Sequence, residues 1–402
     1  MSGRRTIAEF LALRRNTTLL LVALVFSLTG ERLWLGFAPK YIETLGGGTL
    51  AIGLFDGLQT LLGALYAYPG GWLTDRWGQR RSLLLFSIIS VAGYVLVLVW
   101  SHWLALLFGA FLFLAWSALS LPATFTVVAT SLKRERHTMG VGVQSMVRRV
   151  PMMLGPLVGG WLDGVRYALG LCIGLSILTI PFQWFLFDPG DGGRTSASEP
   201  HVSFGRVVKS FTPALRELLV SDILIRFCER LPYAFVVLWA IDHGGVTAQQ
   251  FGYLVAFEMV TAMLCYIPVA HLADKYGRRR FVLATFVFFT LFPVMLAMAH
   301  NFRWLAIAFV VRGLKEFGEP ARKALIIGEA AAEWPARTYG AYYLIRDCVV
   351  TSGSLIGAWL WSISPMANFL GAALCGALGT AWFWWFAQQK MSQQPTGDHA
   401  TR

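Results

Sequence analysis

The sequence predicts an all-α integral membrane protein whose twelve transmembrane helices form two six-helix bundles related by a parallel repeat. Three observations predict it. Of 402 residues, 56% are hydrophobic and only 14% are Asp, Glu, Lys or Arg, where a soluble domain carries about 25% charged residues; the mean hydropathy is +0.57. Soluble domains of this length would lack the polar surface to cover their cores, so the bilayer has to be the solvent. Apolar runs long enough to cross a hydrocarbon core of about 30 Å as helices, about 20 residues each, occur twelve times. The chain also matches itself at a shift of 198 to 200 residues.

The twelve runs cover residues 17–40, 49–71, 82–101, 103–128, 138–162, 166–187, 217–241, 248–271, 281–300, 303–329, 338–361 and 366–388. Span 1 contains Glu31-Arg32 and has no small-residue cleavage site after it, so it reads as a retained helix rather than a signal peptide. Spans 1 to 6 make an N-terminal bundle, residues 1–187. The longest polar stretch follows, with Pro189-Gly190-Asp191-Gly192-Gly193-Arg194 and Thr195-Ser196-Ala197-Ser198, and makes residues 188–216 a cytoplasmic linker. Spans 7 to 12 and a short tail make the C-terminal bundle, residues 217–402.

Loop charges test this division. The net charge of +12 would suggest nucleic acid in a soluble protein, but here Lys and Arg sort by loop parity. One side holds Arg4, Arg5, Arg14 and Arg15, then Arg76, Arg80 and Arg81, then Lys133, Arg134 and Arg136, the basic linker, Lys275 with Arg278 to Arg280, Arg337 and Lys390. The other side has little beyond Lys40, Arg166 and Arg303. Cytoplasmic loops carry such an excess, so both termini are expected in the cytoplasm, in a cell (inner or plasma) membrane, with no nucleic-acid partner. Cys172, Cys228, Cys265, Cys348 and Cys375 all fall inside spans and read as small packing residues, without disulfide or metal spacing.

The repeat brings unusual residues into register, as in transporters built from duplicated units. Glu31-Arg32-Leu33 falls on Glu229-Arg230-Leu231, Ile42-Glu43 on Ile241-Asp242, and Gly53 on Gly252. Leu73-Thr74-Asp75-Arg76-Trp77-Gly78-Gln79-Arg80-Arg81 falls on Leu272-Ala273-Asp274-Lys275-Tyr276-Gly277-Arg278-Arg279-Arg280. Pro122 meets Pro320, and in the fifth span of each half Arg148, Gly155, Gly159 and Trp161 meet Arg346, Gly353, Gly357 and Trp359. Both halves start on the same side, so the repeat axis runs along the membrane normal.

The segment from Gly71 to Arg81 resembles the loop 2–3 signature of the major facilitator superfamily, glycine, x, leucine, alanine, aspartate, arginine, x, glycine, arginine, arginine. Its second copy, Ala270 to Arg280, has alanine where the first has Gly71. The resemblance implies the twelve-helix fold of that family and a conformational switch in this loop, in which Asp75 and Asp274 cap a neighbouring helix and clasp arginines. The switch residues are then Gly71, Asp75, Arg76, Gly78, Arg80, Asp274, Gly277 and Arg279. Glycine belongs where φ is positive or backbones close, and a carboxylate suits a helix N-terminus. Gly155-Pro156-Leu157-Val158-Gly159-Gly160 is similar to the glycine-proline motif of the family's antiporters, although Pro151 stands at a position where that motif has glycine. The packing alternative is that these small residues let span 5 approach its neighbours closely.

Ionisable groups at a span centre cost about 2.5–3.5 kcal/mol each, so they face a wet cavity or a bundle interior. Spans 1 and 7 carry Glu31-Arg32 and Glu229-Arg230, span 2 Asp56 and Gln59, span 8 Glu258, span 5 Arg148-Arg149, and span 11 Arg346-Asp347. The Glu-Arg pairs resemble those of the superfamily's proton-coupled peptide transporters. In span 10, Arg312, Glu316, Glu319 and Lys323 follow helical spacing, which predicts one charged face joined by Arg312–Glu316 and Glu319–Lys323 pairs, with a kink at Pro320. That face is either a substrate or ion site or a structural salt-bridge network. Span 4, the repeat mate of span 10, is apolar at the corresponding positions and lacks the arginine the family often places there.

The fold and these charges together imply a secondary transporter working by alternating access, with protons as coupling ion because buried carboxylates can exchange them. Glu31, Glu229, Glu258 and Glu319 are the candidate proton carriers. Arg32, Arg148, Arg230, Arg312 and Arg346 are candidates to hold an anionic or zwitterionic substrate, with Trp34 and Trp116 as walls. A monomer is expected, with a small-molecule substrate, protons and the lipid bilayer as partners and no cofactor. The alternatives are a drug/proton antiporter exporting amphipathic compounds, and a non-transporting receptor or scaffold. An enzyme is disfavoured, since H-E-x-x-H, G-x-S-x-G and the ATP-binding glycine loop are missing from the sequence.

Overall fold

Every regular element is helical within the described residues of the computed structural model, which are 15–118, 137–162, 164–186, 204–329 and 335–392. In the N-terminal half these are α1 (Arg15–Leu35), α2 (Ala38–Thr44), α3 (Thr49–Leu65), α4 (Ala67–Trp77), α5 (Gln79–Val99), α6 (Trp103–Phe113), α7 (His137–Gly159) and α8 (Val165–Leu186). In the C-terminal half they are α9 (Phe204–Lys209), α10 (Pro213–Tyr233), α11 (Val236–Leu238) running into a π-helical turn (Trp239–His243), α12 (Ala248–Tyr276), α13 (Arg278–Met298), α14 (Phe302–Leu314), α15 (Glu319–Gly328), α16 (Pro335–Ile363) and α17 (Pro365–Ser392). Each of the twelve apolar runs therefore holds a helix. Four segments cross by length and composition alone, Arg80–Val99, Val165–Trp184, Arg278–Met298 and Pro365–Trp385, and the α1–α2 pair does so across a bend of 41°. The others are interrupted, carry charge, or are described only in part.

The interruptions follow the repeat. Span 1 breaks at Gly36-Phe37 and span 7 at Ala234-Phe235, and both are closed by the same short i to i−3 bond, Phe37 N to Trp34 O at 2.9 Å and Phe235 N to Pro232 O at 2.8 Å. Such tightened turns commonly mark functional hinges in a helix. Glycine serves the two places foreseen for it. Gly78 (φ 79°) and Gly277 (φ 94°) turn the chain between α4 and α5 and between α12 and α13, conformations open to glycine at little steric cost. The side chains of Thr74, Asp75 and Asp274, and with them the expected clasp, lie outside the described residues. Arg76 stacks over Trp72 at 5.2 Å and Arg80 over Trp184 at 4.6 Å.

The glycines of span 5 pack, and do so twice. A Cβ on Gly155 or Gly159 would strike the Arg32 or Leu33 backbone of α1, and one on Gly357 would strike Leu231 of α10, while Gly353 faces Phe227 and Arg230. Repeat-related glycines thus lie on repeat-related Glu-Arg-Leu segments. Between the halves α3 packs on α16 and α7 on α12. Gly53 meets Ser354 and Ala358, Gly160 meets Ala248, and Gly252 meets Pro156. At the same end Lys40 Nζ bridges Glu43 at 2.7 Å and its repeat mate Asp242 at 2.6 Å. An apolar core containing Trp34, Phe55, Phe113, Phe251, Phe309 and Phe369 runs through both halves at this level.

Candidate functional site

The halves line a cavity of about 270 Å³ whose wall includes Arg32, Asp56, Gln59, Arg149, Glu229, Glu258, Arg312, Lys315 and Glu316 together with Phe55, Met152, Tyr233, Phe251 and Met259. A second lobe of about 320 Å³ shares Arg32, Asp56, Gln59, Met152 and Tyr233 and adds Glu31, Arg148 and Arg230. Gln59 and Glu258, related by the repeat, stand on its opposite halves.

The chemistry of this wall comes from how span 10 is built. The helix unwinds at Lys315–Gly318, between α14 and α15, so the single charged face expected from the spacing does not form. Neither expected i, i+4 pair is made. Arg312 Nε reaches Glu258 of α12 at 3.2 Å, Glu316 takes Arg149 of α7 at 2.7 Å, and Glu319 takes Arg226 of α10 at 2.5 Å and Arg322 at 2.8 Å. Lys323 is exposed. The break falls ahead of Pro320, which sits in the first turn of α15, where its missing N–H costs nothing. Partners on other helices win because each charge faces a different neighbour once the helix has turned.

A continuous ion-pair network results. Asp222 of α10 accepts from Arg322 Nη1 at 2.5 Å, Arg346 Nη1 at 3.3 Å and the Tyr342 hydroxyl at 3.1 Å. Glu229 pairs with Arg226 at 2.7 Å and Lys315 at 2.8 Å, and Lys315 reaches on to Glu258 at 3.2 Å. Arg230 turns away from Glu229 to the other half. Its Nε lies 3.1 Å from Asp56 Oδ2 and 3.1 Å from the Ser354 hydroxyl, which itself donates to Asp56 at 2.6 Å, and its Nη2 bonds Thr60. Buried ion pairs depend on complete hydrogen bonding, and here Asp222 Oδ1 and Arg226 Nε, 3.9 Å apart, are buried without a hydrogen bond.

The predicted residues therefore divide. Arg32, Arg148, Arg230 and Arg312 line the cavity, as do Glu31, Glu229 and Glu258. Glu319 and Arg346 are buried in the network behind it. Trp34 is in the core, edge-on to Phe113 at 5.1 Å, and Trp116 is buried inside the N-terminal half, so neither is a cavity wall. Asp222, Arg226, Lys315 and Arg322 were not singled out from sequence. Asp222, Arg226 and Glu229 follow the i, i+4, i+7 spacing, which was the available signal.

Two neighbours in the cavity differ from the rest. Among the described residues Arg32 makes no ion pair, and neither does Glu31. Glu31 is buried close to the Ser117 and Tyr94 hydroxyls, which donate to Leu114 O at 3.3 Å and Phe113 O at 3.5 Å, and its charged neighbours are Arg32 and Arg148.

Comparison with known proteins agrees with this architecture. Multidrug resistance protein MdtG of Enterobacter lignolyticus is 26% identical over 388 residues, covering 91% of this chain and 89% of the relative. The multi-drug resistance efflux pump PmrA homolog of Lactococcus lactis is 24% identical, covering 92% and 94%. Among solved structures, the nucleoside transporter NupG superposes with a TM-score of 0.77 at 11% identity, over 94% of this chain and 99% of that one. A peptide transporter POT does so with a TM-score of 0.76 at 13% identity, over 94% of each. The sequence model of the Major Facilitator Superfamily matches residues 19–242 and again 218–400. With both halves matched and the duplicated loop signature in place, this chain belongs to the Major Facilitator Superfamily of secondary transporters.

Proposed function

We propose that the chain moves a small amphipathic molecule with an anionic or zwitterionic head by alternating access, coupled to a proton carried by Glu31. The observation that supports this most is the pair Glu31-Arg32. Arg32 offers the cavity a guanidinium that no protein carboxylate occupies at contact distance, and planar guanidinium donors suit carboxylate or phosphate groups. Glu31 can take a proton without first breaking an ion pair, whereas Glu229, Glu258 and Glu319 are each held by cations within 3.2 Å. Those three then serve to hold the C-terminal bundle together. Phe55, Met152, Phe251 and Met259 give the substrate's apolar body a surface.

Loop parity supports an outside position for the Lys40–Asp242 end. The halves are packed together at that end, the arrangement expected of a cytoplasm-facing state with both termini inside. A second reading, export of amphipathic drugs, is favoured by the names of the relatives and by the same apolar lining.

The test uses the full chain in liposomes containing a pH-sensitive dye, with a pH gradient imposed. Panels of carboxylates, amino acids and lipophilic cations are added in turn. Carboxylates or zwitterions that move protons, with the effect lost in Glu31→Gln, support the proposal. Proton movement with lipophilic cations alone supports the second reading, and unchanged coupling in Glu31→Gln refutes the role of Glu31.

A further inference from the structure

Glu31 has two faces. One is on the cavity lobe shared with Arg32, Asp56 and Arg148. The other is on a small void inside the N-terminal bundle, walled by Ser27, Ser87, Ser90, Tyr94, Trp116 and Ser176. The void is on the order of one water in size and lined by enough polar groups to bind one.

From this void a column of buried polar side chains continues along α5 and α8. The Ser27 hydroxyl donates to Thr179 Oγ1 at 3.4 Å, and the Ser87 hydroxyl meets the Gln183 amide at 3.1 Å. Ser82, one to two turns further along α5, is fully buried and donates to Leu73 O at 2.9 Å. These groups lie on α1, α5 and α8 between the level of Glu31 and the turn where α4 meets α5, as separate hydrogen-bonded pairs, with Thr179 itself donating to Ser176 O at 2.7 Å. Packing does not call for it. Burying hydroxyls costs free energy unless they are bonded, and the other half fills the matching places with apolar groups. At the repeat offset of 198 or 199 residues, Ser27, Ser87 and Ser90 correspond to Ile225, Phe286 and Phe289, all buried.

We propose that this column is a proton path separate from the substrate cavity, carrying protons between Glu31 and the loop 2–3 end of the N-terminal bundle. The inference rests on Glu31 being the proton carrier. In each passage the Glu31 O–H bond breaks as a water in the void takes the proton. That water protonates Ser27 as the Ser27 hydroxyl proton moves to Thr179, whose hydroxyl turns from Ser176 O and releases its own proton to water; further waters have to join the Ser27–Thr179, Ser87–Gln183 and Ser82 groups for one proton to leave at the far end. Glu31 is left as carboxylate, no net charge stays on the column, and the hydroxyls then rotate back. The groups facing Glu31 are Arg32 on its own helix, Arg148 of α7, Tyr94 of α5 and Ser117, with Cys172 of α8 behind Tyr94. Substrate bound at Arg32 would therefore not have to leave for Glu31 to exchange its proton.

The test needs no substrate. Purified full-length chain is given a rapid pH jump, and the carboxylic C=O infrared band of Glu31 is followed as the difference between wild type and Glu31→Gln. Ser27→Val and Ser27→Thr have nearly the same shape and differ in the hydroxyl. The valine variant should slow the Glu31 band by roughly tenfold or more, the scale on which a lost proton-transfer group acts, while the threonine variant keeps the wild-type rate. Wild-type rates in both variants would overturn the path, because protons then reach Glu31 through the cavity. Equal slowing in both would overturn it too, because bulk and not the hydroxyl would then matter. If Glu31→Gln removes no band, the reading of Glu31 as carrier fails instead, which separates the two failures.

Discussion

Asp222 gives the sharpest test of the ion-pair network. It is fully buried on α10 and accepts three hydrogen bonds at one oxygen, from Arg322 at 2.5 Å, Tyr342 at 3.1 Å and Arg346 at 3.3 Å. Asp222→Asn keeps the shape and deletes the charge. Breaking a buried pair by removing one partner costs about 3–5 kcal/mol. Arg322 keeps Glu319 at 2.8 Å and Arg346 keeps Asp347 at 2.7 Å, so the lower end, about 3 kcal/mol, is expected. For a bundle of this size each kcal/mol shifts the midpoint by about 2–4 °C, which predicts a loss of about 6–12 °C. The assay is the fraction of monodisperse protein surviving a heating series in detergent. Asp222→Leu combined with Arg322→Met removes both charges and should recover much of the loss, since apolar replacements of a buried pair are often neutral. A shift within about 2 °C for Asp222→Asn, or a double variant worse than the sum of the single ones, would refute the reasoning.

The remaining predictions concern contacts and the cavity. Gly159→Ala and Gly357→Ala should each destabilise the chain by about 1–3 kcal/mol through overpacking, read as a lower melting midpoint, whereas Gly63→Ala and Gly174→Ala, whose Cβ would meet nothing, should not. Lys40→Ala should alter stability by less than about 1 kcal/mol, because the bridge is partly exposed. It should still speed labelling of a cysteine at Ser354 in a cysteine-free chain by about fivefold at most, with the difference shrinking in high salt. Arg32→Gln should leave the melting midpoint unchanged, since Arg32 gives up no ion pair. It should weaken stabilisation by anionic ligands by about tenfold or more, the worth of a charge-assisted hydrogen bond, and calorimetric titration would show this.

The fold was legible because hydropathy and repetition act over long stretches. Twelve apolar runs, the matched Gly78 and Gly277 turns and the Glu-Arg-Leu repeat needed no knowledge of which helix faces which. The site was legible only by residue type. Span 10 was misjudged because a single periodicity was extended through Lys315–Gly318, where the helix unwinds and hands Arg312, Glu316 and Glu319 to three different helices. Arg230 pairs across the halves with Asp56, a partner 174 residues away that no spacing rule reveals. The serine column escaped notice for the same reason. Ser27, Ser90 and Ser176 are unremarkable singly and acquire meaning only when three helices bring them to one void.

The glycine contacts of span 5 have a consequence for motion. Gly155 and Gly159 hold Arg32 and Leu33 within one half, and Gly353 and Gly357 hold Arg230 and Leu231 within the other. Gly155, Gly159 and Gly357 seat backbone on backbone, which leaves little slack, so each Glu-Arg pair travels with its bundle as a fixed mark. The separation of the two marks is then a ruler for the transport cycle, and the charges proposed to meet the cargo ride on close-packed contacts of their bundles.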